Sequence, residues 1–386
     1  MFPLRIFHLY PCQNSLSKNT AIFFDLLAAS GIPKIPFGCF LNVNPASFKI
    51  SQPTCSKPVS LPLILDIISL RLFLEKMSAI ETGLRQLLLI VYSVHMDAEF
   101  VDAKGGVKKE AAIGARFTDE FPEGNIEELL QSIQTTVISY AKKNKLKIPA
   151  QAAFNNARGD WLELILAAHF WNAVIDRNID MLVLRLPNVA KMEFIKIFDE
   201  EAQERIQSGL MRTLEEHDAR LDMSNPDLIG VRIDRSSLPP EFHKRLDRLG
   251  AADAHMLFDA YKHLIGKCPY NSILFGISIK TSLRGDRRYQ IVHEGSIVKA
   301  FIAHLQTRYW DTSFETKFYG AVTDNVSDND HEIFRTAATH SIVNVFSPSV
   351  RAVDKVYHVP TTNDVNDMIK KIINAASTAP QLNKAS

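Results

Sequence analysis

Cysteine is scarce in this chain. Its 386 residues include four, none at the spacing of a zinc site, which argues against a disulfide framework or a thiolate metal centre. An excess of one charge is also missing: 44 Lys and Arg stand against 43 Asp and Glu, for a formal net charge of +1. No global basic field therefore advertises a polyanionic partner, and any such partner must be met by positive charge confined to a cleft. Long apolar runs are absent too. The best of them, LPLILDIISLRLFL at 61–74, is broken by Asp66 and Arg71 and is too short to cross a bilayer. A basic segment followed by a clean apolar core is lacking, so no secretory signal is expected. No internal repeat or low-complexity tract is found.

What is present is unevenly distributed. Cys12, Cys39 and Cys55 precede Met77, as do 8 of the 18 prolines. Positions 1–76 hold 10 charged residues, and the other 310 positions hold 77. This change in composition predicts that residues 1–76 are an over-extended reading frame, with translation starting at Met77 or Met96. Residues 77–386 are then expected to form a single domain, and 46% apolar content is ample for its core.

Helical spacing of Ile126, Leu129, Leu130, Ile133, Val137 and Tyr140 predicts a helix over 126–145, with Asn125 as N-cap. A polar turn, QAAFNNARGD, is expected next, then a helix from about Trp161 to Val174. Strands are predicted at 181–187, 227–233 and 272–280, and at KFYGAV and HSIVNVF within 317–347. Helices are expected over about 191–217, 239–265, 286–306 and 362–376. Such interleaving predicts an α/β fold, a mixed central β-sheet flanked by helices.

The stretch ISIKTSLRGDRRYQIVHEG (277–295) carries most of the chemistry. Lys280 closes an alternating strand, and Asp227, in SNPD, opens another. Phosphodiester hydrolysis needs a divalent ion held by carboxylates, a water near it and a cation facing the phosphate. Mg²⁺ suits such a site because it takes one or two carboxylates and keeps waters. Taken alone, a Pro-Asp turn and a strand-end lysine are commonplace. The second acid of many metal nucleases lies two residues before the lysine, and here that position is Ser278. Glu294, in the following helix, is the candidate replacement, against the plainer reading of a solvated helix glutamate. Glu163 could add an acid for a second metal, or be a first-turn glutamate suited to the helix dipole. Arg284, Asp286 and Arg287 fit base reading: arginine donates twice to guanine, and aspartate accepts from cytosine N4. The competing reading is a cluster of salt bridges within one helix.

The segments NARGDWLE (156–163), SNPD (224–227), KTSLRGDRRYQIVHEG (280–295), AHLQTRYW (303–310) and AATHSIVNV (337–345) together resemble a known group. These are the type II restriction endonucleases of the PD…(D/E)xK superfamily that act on a CCGG core, above all the branch cutting purine-CCGG-pyrimidine. The likeness spans about 120–376 and leaves 1–76 without a counterpart. It implies a restriction-endonuclease-like core and a cytoplasmic, Mg²⁺-dependent enzyme. Asp227, Lys280 and Glu294 would form its active site, Glu163 a nearby carboxylate, and Asp227, Glu294 and Glu163 the metal ligands. The displacement of the second acid to the helix belongs to this branch. The resemblance also implies that Arg284, Asp286 and Arg287 read the CCGG core and that Asn156 reads the outer pair. Gly285 departs from it, since relatives tend to carry proline there. Double-stranded DNA is the implied partner, a homodimer or dimer of dimers the implied assembly, with Trp310 and Asn344 in the contact, and a methyltransferase the functional companion. Two alternatives remain: a structure-selective or repair nuclease on the same scaffold, and a catalytically decayed DNA-binding protein.

Overall fold

The structure, a computed structural model, describes residues 99–377 apart from 103, 188–191, 222 and 343–348. The expected boundary at Met77 and the residue Asn344 lie outside the described residues. Among the described residues five strands form one sheet in sequence order: β1 (Met181–Arg185), β2 (Leu228–Arg232), β3 (Ile273–Lys280), β4 (Lys317–Val322) and β5 (Lys355–His358). The first three are antiparallel, while β4 and β5 run parallel to β3. The sheet is therefore mixed and flanked by helices, as expected. A shift in register at Gly230/Val231 marks a bulge in β2, and a Cβ at Gly230 would stand 2.3 Å from the Phe275 ring.

The helices used below are α1 (Lys109–Arg116), α2 (Ile126–Lys143), α3 (Gln151–Asp176), α4 (Ala251–Asp259), α5 (Gly285–Tyr309), α6 (Asp328–Phe334), α7 (Thr339–Ile342) and α8 (Thr362–Ser377). Helix α3 packs on β1 and β3, and α5 crosses over between the parallel β3 and β4 and packs on both. All eight residues of β3 are buried. Successive side chains of a strand point to opposite faces, so the sheet is covered on both sides at its centre.

Helix α2 matches its expected span, and Asn125 caps it by accepting from Glu128 N at 3.2 Å. The expected polar turn QAAFNNARGD is instead the first part of α3, ten residues before Trp161. Phe154, Ala157, Trp161, Leu164 and Ala168 form one buried stripe at helical spacing. Its burial outweighs the turn preference of Asn155, Asn156 and the roughly 1 kcal/mol that Gly159 costs a helix interior. Glu163 thus lies mid-helix, and the first-turn reading of it is wrong.

The expected strand HSIVNVF is helical at its start, where α7 ends at Ile342, and 343–348 lie outside the described residues. The strand after β4 is β5, which alternates poorly (exposed, buried, intermediate, exposed) because it lies at the sheet edge. Residues 239–265 are less helical than expected. They hold α4 and single 3₁₀ turns at Pro240–His243 and Ala260–His263.

Candidate active site

The turn before β2 is pinned by Asn225. Its Oδ1 accepts from Phe194 N at 2.7 Å, and its Nδ2 donates to Met192 O at 2.6 Å and Pro187 O at 3.2 Å. Pro226 follows, and then Asp227 is held by both neighbouring strands. Its backbone oxygen accepts from Leu186 N at 3.1 Å, and its carboxylate Oδ2 accepts from Ile279 N at 2.5 Å. The same oxygen lies 3.0 Å from Lys280 Nζ.

Glu294 sits on the buried stripe of α5, between Ile291 and Ile297, and is 1% exposed. Its neighbour Gly295 lets α5 pack closely on the chain at Ala352, whose carbonyl oxygen a Cβ there would meet at 2.2 Å. Glu294 Oε1 lies 3.5 Å from Lys280 Nζ and accepts from Ser224 Oγ at 3.4 Å. One buried ammonium therefore bridges the two carboxylates that the sequence places 67 positions apart. Glu294 is not a solvated helix residue, and Asp227, Lys280 and Glu294 do come together.

Electrostatics at this centre are finely opposed. Burial works against the charge on Lys280, yet the carboxylates of Asp227 and Glu294 outweigh it and raise its pKa. Burial, then repulsion from Asp227, push Glu294 up to about 7, with Lys280 opposing. Glu163 is pushed up to about 8 by burial and then by Asp227, against the pull of Arg185. It is close enough to feel the centre, but its own direct partner is Arg185, whose Nε donates to Glu163 Oε2 at 2.5 Å.

Among the described residues no group of three or more His, Cys, Asp or Glu comes together closely enough to hold a metal. What the centre offers is the pair Asp227 and Glu294. Glu294 Oε2 is buried and, among the described residues, makes no hydrogen bond at ordinary distance, although the Ser278 hydroxyl lies near enough to ease its charge; it keeps a coordination position that a cation would satisfy. Two hard oxygen donors suit Mg²⁺, which needs no larger protein cage.

The basic cluster sits at the exposed start of α5. The Arg284, Asp286 and Arg287 side chains are 68%, 65% and 42% exposed. Asp286 Oδ2 lies 3.4 Å from Arg284 Nη2 and 3.9 Å from Arg287 Nε. These are loose surface pairs of small value, and they leave most guanidinium donors open to a partner. Gln290 Oε1 accepts from Arg287 Nη1 at 3.0 Å. Asn156 is exposed on α3, seven residues before Glu163. The helix tip thus carries the base-reading candidates, and the next turns lead to Glu294, about 10 Å of rise further on.

Arg185 and Asp160 were not anticipated. Arg185 closes β1, is 3% exposed and also pairs with Asp160, which Lys109 reaches from α1. The available signal was a single charge ending the apolar run MLVL.

The profile of the Cfr10I/Bse634I restriction endonuclease family matches residues 102–375. The type II restriction enzyme Cfr10I of Citrobacter freundii is 28% identical over 229 residues, covering 58% of this chain and 80% of that protein. The crystal structure of the type IIF restriction endonuclease Bse634I with cognate DNA is similar at a TM-score of 0.64 and 37% identity, covering 69% of this chain and 93% of that one. A second Bse634I structure gives 0.64 and 36%, covering 69% and 92%.

Proposed function

Because the chain belongs to the Cfr10I/Bse634I restriction endonuclease family and is a DNA-cutting type II enzyme, we propose that it cleaves purine-CCGG-pyrimidine sites with Mg²⁺. The observation that carries this reading is the bridging of Asp227 and Glu294 by Lys280, below an exposed Arg-x-Asp-Arg helix tip. Asp227 and Glu294 would hold the ion, and Glu163, paired with Arg185, is a further carboxylate available for a second one. A bound divalent ion neutralises phosphate oxygens and acidifies nearby water. Lys280 orients the attacking water and stabilises the negative charge on the oxygens of the pentacovalent phosphorus. The water oxygen bonds to phosphorus in line as the bond to the 3′ oxygen breaks; the attacking water gives up a proton to solvent and the departing 3′ oxygen takes one up, which leaves a 5′-phosphate and a 3′-hydroxyl.

Digestion in Mg²⁺ of plasmids with and without the site, followed by sequencing of the fragment ends, tests the reading. Cutting confined to one CCGG-containing palindrome supports it. Indiscriminate nicking of both plasmids would favour the structure-selective nuclease, and tight binding without cleavage the decayed binder.

Arg284, Asp286 and Arg287 read the CCGG core, and Asn156 reads the outer pair. Arg287→Ala should reduce discrimination between the site and a one-base variant by about 1–3 kcal/mol. Competition binding measures it. A loss of affinity that varies with salt while preference stays unchanged would make Arg287 a phosphate contact instead.

A palindromic target calls for a two-fold dimer, and two dimers pair through Trp310. That side chain is 92% exposed, at a left-handed residue (φ 53°) ending α5. Sedimentation of Trp310→Ala should show dimers where the parent chain gives tetramers; persistent tetramers would place the contact elsewhere. The enzyme acts in the cytoplasm beside a methyltransferase that protects the same site.

A further inference from the structure

Glu163 and Arg185 are better placed for each other than for a shared ion. Arg185 lies on the last rung of β1, next to Leu186, whose N–H binds the backbone oxygen of Asp227. Its guanidinium is clamped against the Phe258 ring, 4.5 Å from the centroid. Two of its nitrogens are committed, Nε to Glu163 and Nη2 to Asp160, while Nη1 is buried with no partner. Asp160 has a second cation in Lys109, whereas among the described residues Arg185 alone stands within ion-pair distance of the Glu163 carboxylate, with Lys280 acting on it from further away.

We propose that Arg185 is a positioning residue, a fixed internal cation that keeps Glu163 out of the metal shell, so that the DNA-free centre takes one divalent ion. This rests on the proposed metal site at Asp227 and Glu294. The one-sided pairing predicts what Arg185→Lys does. A lysine keeps the charge but loses the planar fork that spans two carboxylates. Asp160 keeps Lys109, while Glu163 exchanges a fixed guanidinium for at most one mobile ammonium, which a divalent ion can displace.

Mn²⁺ binding to the DNA-free full chain, followed by electron paramagnetic resonance of the free ion, reads the outcome. The parent chain should bind one ion, and Glu163→Gln should bind it with a change well short of the roughly tenfold or more that losing a ligand or its direct support costs. Arg185→Lys should bind a second ion, or the first at least tenfold more tightly, and adding Glu163→Gln to it should abolish that gain. A tenfold weakening in Glu163→Gln alone makes Glu163 a resting ligand and overturns the proposal, whether or not the Arg185 variant folds. So does an Arg185→Lys chain that melts earlier but binds Mn²⁺ as the parent does, because that is a purely structural role. A parent chain that takes up no Mn²⁺, with Asp227→Asn indistinguishable from it, overturns the proposed metal site and this inference with it.

Discussion

Asp227→Asn is expected to slow cleavage of the target by at least about 10³-fold, some 4 kcal/mol of transition-state stabilisation, with little change in DNA affinity. Asparagine has the shape of aspartate and can still accept the Ile279 amide, so the β2–β3 junction should survive. It cannot supply the negative charge proposed to hold a divalent ion. The base-reading candidates lie on the exposed tip of α5, not at this junction. Rapid mixing of enzyme, DNA and Mg²⁺ gives the cleavage rate, and gel-shift titration gives the affinity. A variant that cuts at the parent rate would remove Asp227 from the centre. One that loses binding and cutting equally would make it a folding residue.

The sequence revealed the centre unevenly, for physical reasons. Lys280 and Asp227 were legible because strand alternation and a Pro-Asp turn are local patterns. Their convergence was not, since it depends on β2 pairing with β3 in one register, Leu228 opposite Ile277. Glu294 was the harder case. A glutamate on an apolar helical stripe reads as an exception until the stripe is seen to face the strand that ends in Lys280. Here the resemblance supplied what periodicity could not.

Arg185 was missed because a charge ending an apolar run ordinarily points to solvent. Only the fold shows that α3 brings Asp160 and Glu163, three residues apart on one face, to meet it. The start of α3 was misplaced for the opposite reason. Asn155, Asn156 and Gly159 favour turns locally, and the buried stripe from Phe154 onward overrides them. The edge strand β5 went unnoticed because four residues without alternation carry no strand signal.

Lys280→Met should also cost at least about 10³-fold in cleavage rate, since the cation proposed to face the scissile phosphate is lost with little change of shape. It carries a second, independent consequence. Lys280 is the ammonium that offsets two buried carboxylates, so its removal leaves them facing each other, a change that costs about 3 kcal/mol or more. Glu294, pushed up to about 7 in the folded chain, holds a proton that the unfolded chain releases near its ordinary 4.5. Its effect on stability is therefore most favourable below about 4.5 and is lost as the pH rises towards 7. Without Lys280 that loss must be larger, because the opposing charge is gone. In the absence of divalent ions, the gap in melting temperature between parent and Lys280→Met should be wide at pH 8 and should narrow at pH 5, where Glu294 in the variant is neutral. Glu294→Gln in the same background should close most of the gap at pH 8. A gap independent of pH would mean that Lys280 contributes by packing and not by balancing the carboxylates, and the assignment of the centre would then rest on the cleavage rate alone.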